Sequence, residues 1–321
     1  MVMNQKTVFV TGGTGKIGRH LVTSLASLGF YVKVLSRRQD HPWDKIDNIQ
    51  IIKGDILEER AIRKAIQECD YLFHLAVYQN INDKGKDLFQ RVNVEGTKTI
   101  LNSSINSDVK KIVYVSTAMV FESTGKLERD ERWIQKSSCP NDNYVQTKIE
   151  ALAFVRQMKD FLPIVIIYPT AVIDLKDFSS SAPVRSKGLQ KFLWERIGRG
   201  IPGGLMCLIG PKDRILNYVV VEDLVEGMIQ AAIVGQAGDE YILGSENVTV
   251  ENYLRVASQR VNKRVFPIRI PIYPFKVISR FRQFVSVPPI INLISRSDHV
   301  DMCFSSEKAR KFLGYDPKLK L

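Results

Sequence analysis

Apolar positions along the chain fall into two alternating patterns: short solid runs, and longer stretches with apolar residues three or four apart. Val8-Phe9-Val10 is a solid run that breaks into Thr11-Gly12-Gly13-Thr14-Gly15-Lys16-Ile17-Gly18. Ile17, Leu21, Leu25 and Leu28 then recur at helical spacing, and Gly29 supplies a stop. Tyr31-Val32-Lys33-Val34-Leu35 is a second run. The alternation continues with a strand over Ile49-Gln50-Ile51-Ile52, a helix from Glu58 to Cys69 and a strand over Tyr71–Ala76. A helix from about Asp87 to Ser104 and a strand over Lys111–Ser116 follow. Strands alternating with helices predict an α/β fold with a parallel, doubly wound sheet. Ligands of such sheets bind at the carboxyl ends of the strands, where Asp55, His74, Ser116 and Thr117 fall.

The break at 11–18 carries the first chemistry. A buried strand that runs into glycines and then a helix is the entry to a dinucleotide-binding unit. Gly12 permits the tight turn, Gly15 lets the backbone approach a pyrophosphate, and Gly18 lets the helix pack closely on the sheet. Exposed N–H groups at the helix start, around Thr14 to Ile17, face the phosphates. An acidic residue at the end of the second strand would bond a ribose 2′-hydroxyl, but this chain has Ser36-Arg37-Arg38. Arginine suits a 2′-phosphate because it is permanently charged and binds bidentately. Arg37 is therefore assigned to the phosphate, Ser36 to a supporting hydrogen bond and Arg38 to stacking on adenine. The competing account is an ordinary basic loop. The cofactor expected is NADP, as NADPH, rather than NAD.

Composition changes little. The 321 residues are 45% hydrophobic and 25% charged, values ordinary for a globular enzyme. The net charge of +12 suits anionic cofactors or acidic surfaces, but no nucleic-acid-binding motif accompanies it. Cys69, Cys139, Cys207 and Cys303 form no zinc or disulfide framework, and the histidines at 20, 41, 74 and 299 are scattered, so no metal is expected. The first strand begins too early for a signal peptide and no run is long enough to span a membrane, which implies a cytoplasmic protein.

Thr11–Gly18, Gly54-Asp55-Ile56, His74-Leu75-Ala76, Asn93-Val94-Glu95-Gly96-Thr97, Tyr114–Thr117 and Tyr144-Val145-Gln146-Thr147-Lys148 occur in order. Tyr168-Pro169-Thr170-Ala171-Val172, Tyr218–Leu224, Glu240–Gly244 and Phe304–Tyr315 follow. Together they resemble the extended short-chain dehydrogenase/reductases, a Rossmann-fold family, and within it the dihydroflavonol-reductase-like and 3β-hydroxysteroid-dehydrogenase-like branch. The resemblance covers nearly the whole chain. It implies that Thr117, Tyr144 and Lys148 are catalytic. Tyr144 and Lys148 stand at i, i+4, on one helix face. A free tyrosine has a pKa of about 10, and a nearby ammonium group would lower it. Thr117 would hold the substrate oxygen, in preference to Ser116. Asp55 and Ile56 would bracket adenine, with Asp55 also suited to a helix N-cap. Leu75, Ala76 and Val77 would line the cofactor path, with Val115 beneath it. Tyr168, Pro169, Thr170 and Val172 would sit beside the nicotinamide. Asn93 would support a water or the lysine, or else cap a turn, and His74 reads as a packed strand histidine.

Departures from relatives narrow the expectation. Thr117-Ala118-Met119 lacks the acidic pair of nucleotide-sugar dehydratases. Ile173-Asp174-Leu175 and Leu216-Asn217 replace residues that epimerases use around a diphosphate. The expected function is an NADP(H)-dependent oxidoreductase acting on a carbonyl or alcohol of a medium-sized, largely apolar small-molecule substrate. The alternative is a nucleotide-sugar epimerase. A non-catalytic dinucleotide sensor is a third reading, disfavoured by the complete Thr-Tyr-Lys set. The expected domains are a dinucleotide-binding unit over 1–173 plus about 217–244, and a mostly α-helical substrate unit over 174–216 and 245–321. Phe178, Phe192, Trp194, Leu205, Met206 and Leu208 read either as an apolar cavity or as core. The segment 268–296 reads as a basic amphipathic surface that touches membrane, or as a substrate lid. No nucleic-acid partner is expected, and the resemblance leaves room for a homodimer. The chain stops at Lys318–Leu321 where relatives usually continue, which suggests a truncated or naturally short tail.

Overall fold

The computed structural model describes residues 5–38, 41–43, 45–79, 85–123, 125–133, 135–140, 142–178, 205–209, 213–260, 264–270 and 301–320. Its first half follows the apolar runs closely. β1 (Thr7–Thr11), α1 (Lys16–Ser27), β2 (Tyr31–Ser36), β3 (Ile49–Lys53), α2 (Glu59–Ile66) and β4 (Tyr71–His74) come in order. Next are α3 (Asp87–Phe89), a π-helical stretch (Gln90–Glu95), α4 (Gly96–Ser104), β5 (Lys111–Val115), α5 (Asn143–Gln157) and β6 (Ile164–Pro169). With β10 (Glu240–Leu243), the seven strands form one parallel sheet in the order β10-β6-β5-β4-β1-β2-β3.

Side chains alternate along each strand, so every strand feeds two cores. Val8, Val10, Val32, Val34, Val113 and Ile167 face α1 and α6 (Val221–Ile233), where Leu21, Val22, Leu25, Leu224 and Met228 meet them. Phe9, Leu72, Ile112, Tyr114 and Ile166 face α2, α4 and α5, against Ile62, Ile100, Leu152 and Val155. Both sides are covered, which is why the strands are solid apolar runs rather than alternating ones. The strand order reverses between β1 and β4, and this switch point opens a crevice at the carboxyl edge.

The rest of the chain is organised differently from the sequence reading. β7 (Ala171–Ile173), β9 (Ile215–Val220) and β11 (Glu246–Thr249) form a separate sheet in the order β11-β9-β7. Only β10 of the returning segment joins the main sheet. β8 (Leu205–Ile209) and β12 (Arg264–Ile270) form a parallel pair beside α7 (Val250–Arg260). The C-terminal residues, grouped by sequence with the substrate unit, instead pack on the first domain. Ala309 and Leu313 of α8 (Glu307–Leu313), together with Tyr315, enter the α1/α6 core, and Phe304 enters the other. Arg129 fastens this tail. Its guanidinium donates to the carbonyls of Glu122, Asp301 and Cys303 and lies 4.2 Å from the Phe304 ring centroid. The predicted pocket residues 178, 192, 194, 205, 206 and 208 have no described side chains, and 271–300 lie outside the described residues.

Candidate active site

The glycine loop is shaped by contact. Gly12 has a φ of +72°, and a Cβ there would stand 2.6 Å from the Ala76 backbone nitrogen. At Gly18 a Cβ would stand 2.2 Å from the Gly12 carbonyl oxygen, so helix α1 can sit on the loop only with glycine there. Gly15 is the N-cap residue of α1, and no side chain caps that end. The first N–H groups of α1 are therefore left to an anion or solvent. Thr14 and Ile17 are partly exposed here and Lys16 is exposed. At the end of β2 the Ser36 hydroxyl accepts from the Arg38 amide. Arg37 is 79% exposed, with Nη1 3.9 Å from the Asp55 carboxylate. Asp55 does not cap α2, as its N-cap reading required. Its carboxylate accepts from the Leu57 amide in the turn before the helix, and α2 starts later, at Glu59. Ile56 packs under Gly96, whose missing Cβ leaves room for it.

Thr117, Tyr144 and Lys148 come together above the end of β5. Asp142 caps α5 by accepting from the Tyr144 and Val145 amides, which fixes the start of the helix that carries the pair. The Thr117 hydroxyl hydrogen-bonds the Tyr144 phenol and also accepts from the Met119 amide. Lys148 is only 4% exposed. Its ammonium donates to the Val115 carbonyl at 2.7 Å and to the Tyr114 hydroxyl at 3.2 Å, and it lies 4.6 Å from the Tyr114 ring centroid.

The electrostatics reverse one expectation. Burial pushes the Tyr144 phenol up to about 12, with the Thr117 hydrogen bond acting the other way. The protein framework alone therefore keeps Tyr144 protonated, whereas the sequence reading had Lys148 lowering it. Burial also pushes Lys148 down to about 7. The reason is geometric: Lys148 points at β5 and is held by neutral acceptors.

Several other expected residues are placed by partners of their own. Both ends of the Asn93 amide are engaged. Its oxygen accepts from the Tyr78 amide at 2.6 Å, and its nitrogen donates to the Tyr78 carbonyl and to Thr147. It thus ties the loop after β4 to the helix of Tyr144 and Lys148. Tyr168 is turned away from the crevice: its phenol bonds Glu240, with Arg156 and Gln135 alongside. Its phenol is thus engaged with Glu240 rather than offered to the crevice. Leu75 and Ala76 are half-buried, Val77 is exposed, Pro169 and Thr170 are buried and Val172 is half-buried. His74 is a packed strand histidine, bonded to Thr11 and Thr97. Burial, with the Lys148 charge behind it, pushes its imidazole down to about 3.

Two buried hydroxyls in this region, Ser116 Oγ and Thr170 Oγ1, have no hydrogen-bond partner among the described residues. An orphaned buried hydroxyl costs about 1–3 kcal/mol, which a bound polar group would relieve. With the uncapped α1, they make the crevice suited to a dinucleotide.

The profile of the 3-beta hydroxysteroid dehydrogenase/isomerase family matches residues 9–162, which include the glycine loop and the Thr-Tyr-Lys set. A putative dihydroflavonol 4-reductase of Synechocystis is 28% identical, with 95% of this chain and 89% of that protein aligned. The 3 beta-hydroxysteroid dehydrogenase/Delta 5-->4-isomerase of Mycobacterium tuberculosis is 25% identical over 97% of this chain and 86% of its own length. Over nearly its whole length the chain is similar to the extended short-chain dehydrogenase/reductases. Solved structures show the same fold. A short-chain dehydrogenase/reductase superfamily protein from Agrobacterium tumefaciens, with bound NAD, superposes with a TM-score of 0.75 at 19% identity, over 98% of this chain and 93% of its own. A UDP-glucose 4-epimerase from Thermotoga maritima gives 0.74 at 20% identity, over 98% and 94%.

Sequence spacing missed one convergence. His20 Nε2 lies 3.2 Å from Asp174 and its Nδ1 3.5 Å from Glu222, tying α1 to the end of β7 and to α6. Each ring nitrogen faces a different carboxylate, so the imidazole bridges the acids rather than aiming with them at one ion. The partners lie 154 and 202 residues away in the chain, and no local pattern announces them. Tyr114 was also missed as a partner of Lys148, because its apolar run marks it only as core.

Proposed function

We propose that this protein is an NADP(H)-dependent oxidoreductase that interconverts a carbonyl and an alcohol on a medium-sized, largely apolar substrate. The observation that carries the reading is the meeting of Thr117, Tyr144 and Lys148 at the carboxyl edge of the sheet, beside an uncapped α1. The names of the relatives, a reductase and a dehydrogenase, support the reaction class.

The α1 N-terminus and the glycine loop would hold the pyrophosphate, and Arg37 with Ser36 the 2′-phosphate. Asp55 and Ile56 would hold adenine, and Ser116 and Thr170 offer hydroxyls near the nicotinamide end. The bound nicotinamide supplies or accepts the hydride. In reduction, negative charge develops on the substrate oxygen, and Thr117 donates a hydrogen bond to it. Tyr144 then gives up its phenolic proton. A phenol pushed up to about 12 is fully protonated near neutrality, which is the state a proton donor needs. Lys148, as an ammonium, favours the phenolate left behind. Val77, in the segment after β4, and Met119, whose amide donates to Thr117 after β5, are exposed apolar side chains, and they favour an apolar substrate.

The test is consumption of NADPH, followed by absorbance, with a panel of cyclic and aromatic ketones and aldehydes. Tyr144→Phe is expected to lower turnover by about 100-fold or more while leaving NADPH binding in place. Unchanged turnover in that variant would remove Tyr144 from the reaction.

A further inference from the structure

Lys148 is held in an unusual way. It is buried, yet its described partners are a backbone carbonyl, a phenol and that phenol's ring face, with no carboxylate among them. The phenol is itself anchored. The Tyr114 hydroxyl hydrogen-bonds Thr97. Thr97 Oγ1 donates to the Asn93 carbonyl at 2.7 Å, so its oxygen is free to accept from His74 Nε2 at 2.9 Å. That places the His74 proton on Nε2 and leaves Nδ1 to accept from Thr11 Oγ1 at 2.7 Å. Thr11 in turn accepts from the Ala76 amide. A continuous buried chain therefore runs from the glycine-loop end of β1 through His74, Thr97 and Tyr114 to the ammonium. Its donors converge on Thr97: Thr11 to His74 and His74 to Thr97 from one side, Lys148 to Tyr114 and Tyr114 to Thr97 from the other, while Thr97 itself donates to the Asn93 carbonyl in the π-helical stretch.

We propose that Tyr114 is a positioning residue for the catalytic lysine, holding the Lys148 ammonium against β5 through its hydroxyl and ring face. The inference rests on Lys148 being the lysine of the proposed reaction. The hydroxyl oxygen and the ring face both interact better with an ammonium than with a neutral amine. They offset part of the desolvation that pushes Lys148 down to about 7. The described groups against Lys148 are the Tyr114 hydroxyl and ring and the Val115 carbonyl on β5, with the His74 imidazole on β4 near enough to respond to its charge, and each is neutral near pH 7. Tyr114 is thus the side chain best placed to set how much proton Lys148 carries.

The experiment is a 13C NMR titration of lysine Cε in the full-length protein, with the Lys148 signal assigned by its loss in Lys148→Met. Wild type, Tyr114→Phe and Tyr114→Leu are compared, and NADPH binding is measured on the same samples. Tyr114→Phe is expected to move the Lys148 midpoint to lower pH by about half a unit or more, and Tyr114→Leu further, because the ring face is lost as well. Coincident midpoints would overturn the proposal. A midpoint raised towards the ordinary lysine range would also overturn it, since that marks a core opened to water rather than a lost partner. Should Tyr114→Leu not fold, Tyr114→Phe decides alone. Wild type that binds neither NADPH nor NADH would instead refute the dinucleotide reading, and the titration would still judge Tyr114.

Discussion

A lysine buried without a carboxylate is destabilising at neutral pH. Lys148 is such a residue, pushed down to about 7 by burial from a usual value near 10.5. The unfolded chain binds the proton more tightly, so the penalty on the folded state is complete below about pH 7 and fades as the pH rises towards the ordinary lysine range. Lys148→Met should therefore raise the melting temperature, by more near pH 6 than near pH 9, while abolishing turnover. A variant melting at or below wild type at both pH values would contradict this account of the lysine. The roles given to Thr117, Tyr144 and Lys148 came from the family resemblance; the i, i+4 spacing of the pair and the position of Thr117 after a strand were legible in one dimension. The direction of each side chain was not. Tyr168 lies in the expected segment, yet its phenol reaches Glu240, 72 residues away. Glu240 is pushed up by burial, but hydrogen bonds from Arg156, Lys159 and Tyr168 outweigh this and bring it down to about 2.

Among the elements, the helix predicted from about Asp87 to Ser104 exists but is not uniform. Six residues, Gln90–Glu95, are π-helical, and Asn93 within them clamps Tyr78 and Thr147. π-helical turns recur at functional sites because they re-aim side chains out of the regular ladder. Here the re-aimed side chain joins the loop after β4 to the catalytic helix. Asn93→Ala would leave the buried ends of those bonds without partners, so a loss of about 1–3 kcal/mol is expected in denaturant unfolding. NADPH affinity should fall with it, because the Leu75–Val77 path loses its anchor. Unchanged stability and affinity would show that the clamp carries nothing. Sequence periodicity gave the length of this helix. The π turn was invisible, because the Asn93 hydrogen bonds that accompany it join it to Tyr78 and to Thr147, 54 residues away in the chain.

At the scale of the molecule, the seven-stranded sheet was legible because doubly covered strands must be solid apolar runs. The smaller sheet was less so: β7 and β11 are short and half-buried, and β9, six residues long with four of them buried, looks like any strand of the main sheet until its partners are known. The packing of the tail was not legible: sequence grouped it with the substrate unit, whereas its apolar side chains enter the cores flanking the main sheet. The burial of Phe304, Leu313 and Tyr315 depends on a seat offered by α6 and by Arg129, far away in the chain. No helix among the described residues is long and apolar enough to cross a membrane. Contact of 268–296 with an anionic membrane surface remains a proposal, as does a homodimer.

We propose that the crevice holds a dinucleotide and that Arg37 selects the phosphorylated one. The measurement that tests it most directly needs no substrate: fluorescence titration of the protein with NADPH and with NADH, repeated on Arg37→Asp. A charge-assisted contact to the 2′-phosphate contributes about 1.5–3 kcal/mol, so NADPH should bind about 10- to 100-fold more tightly than NADH, and Arg37→Asp should erase or invert the difference. Equal affinities in the native protein, or a preference untouched by the substitution, would contradict the account.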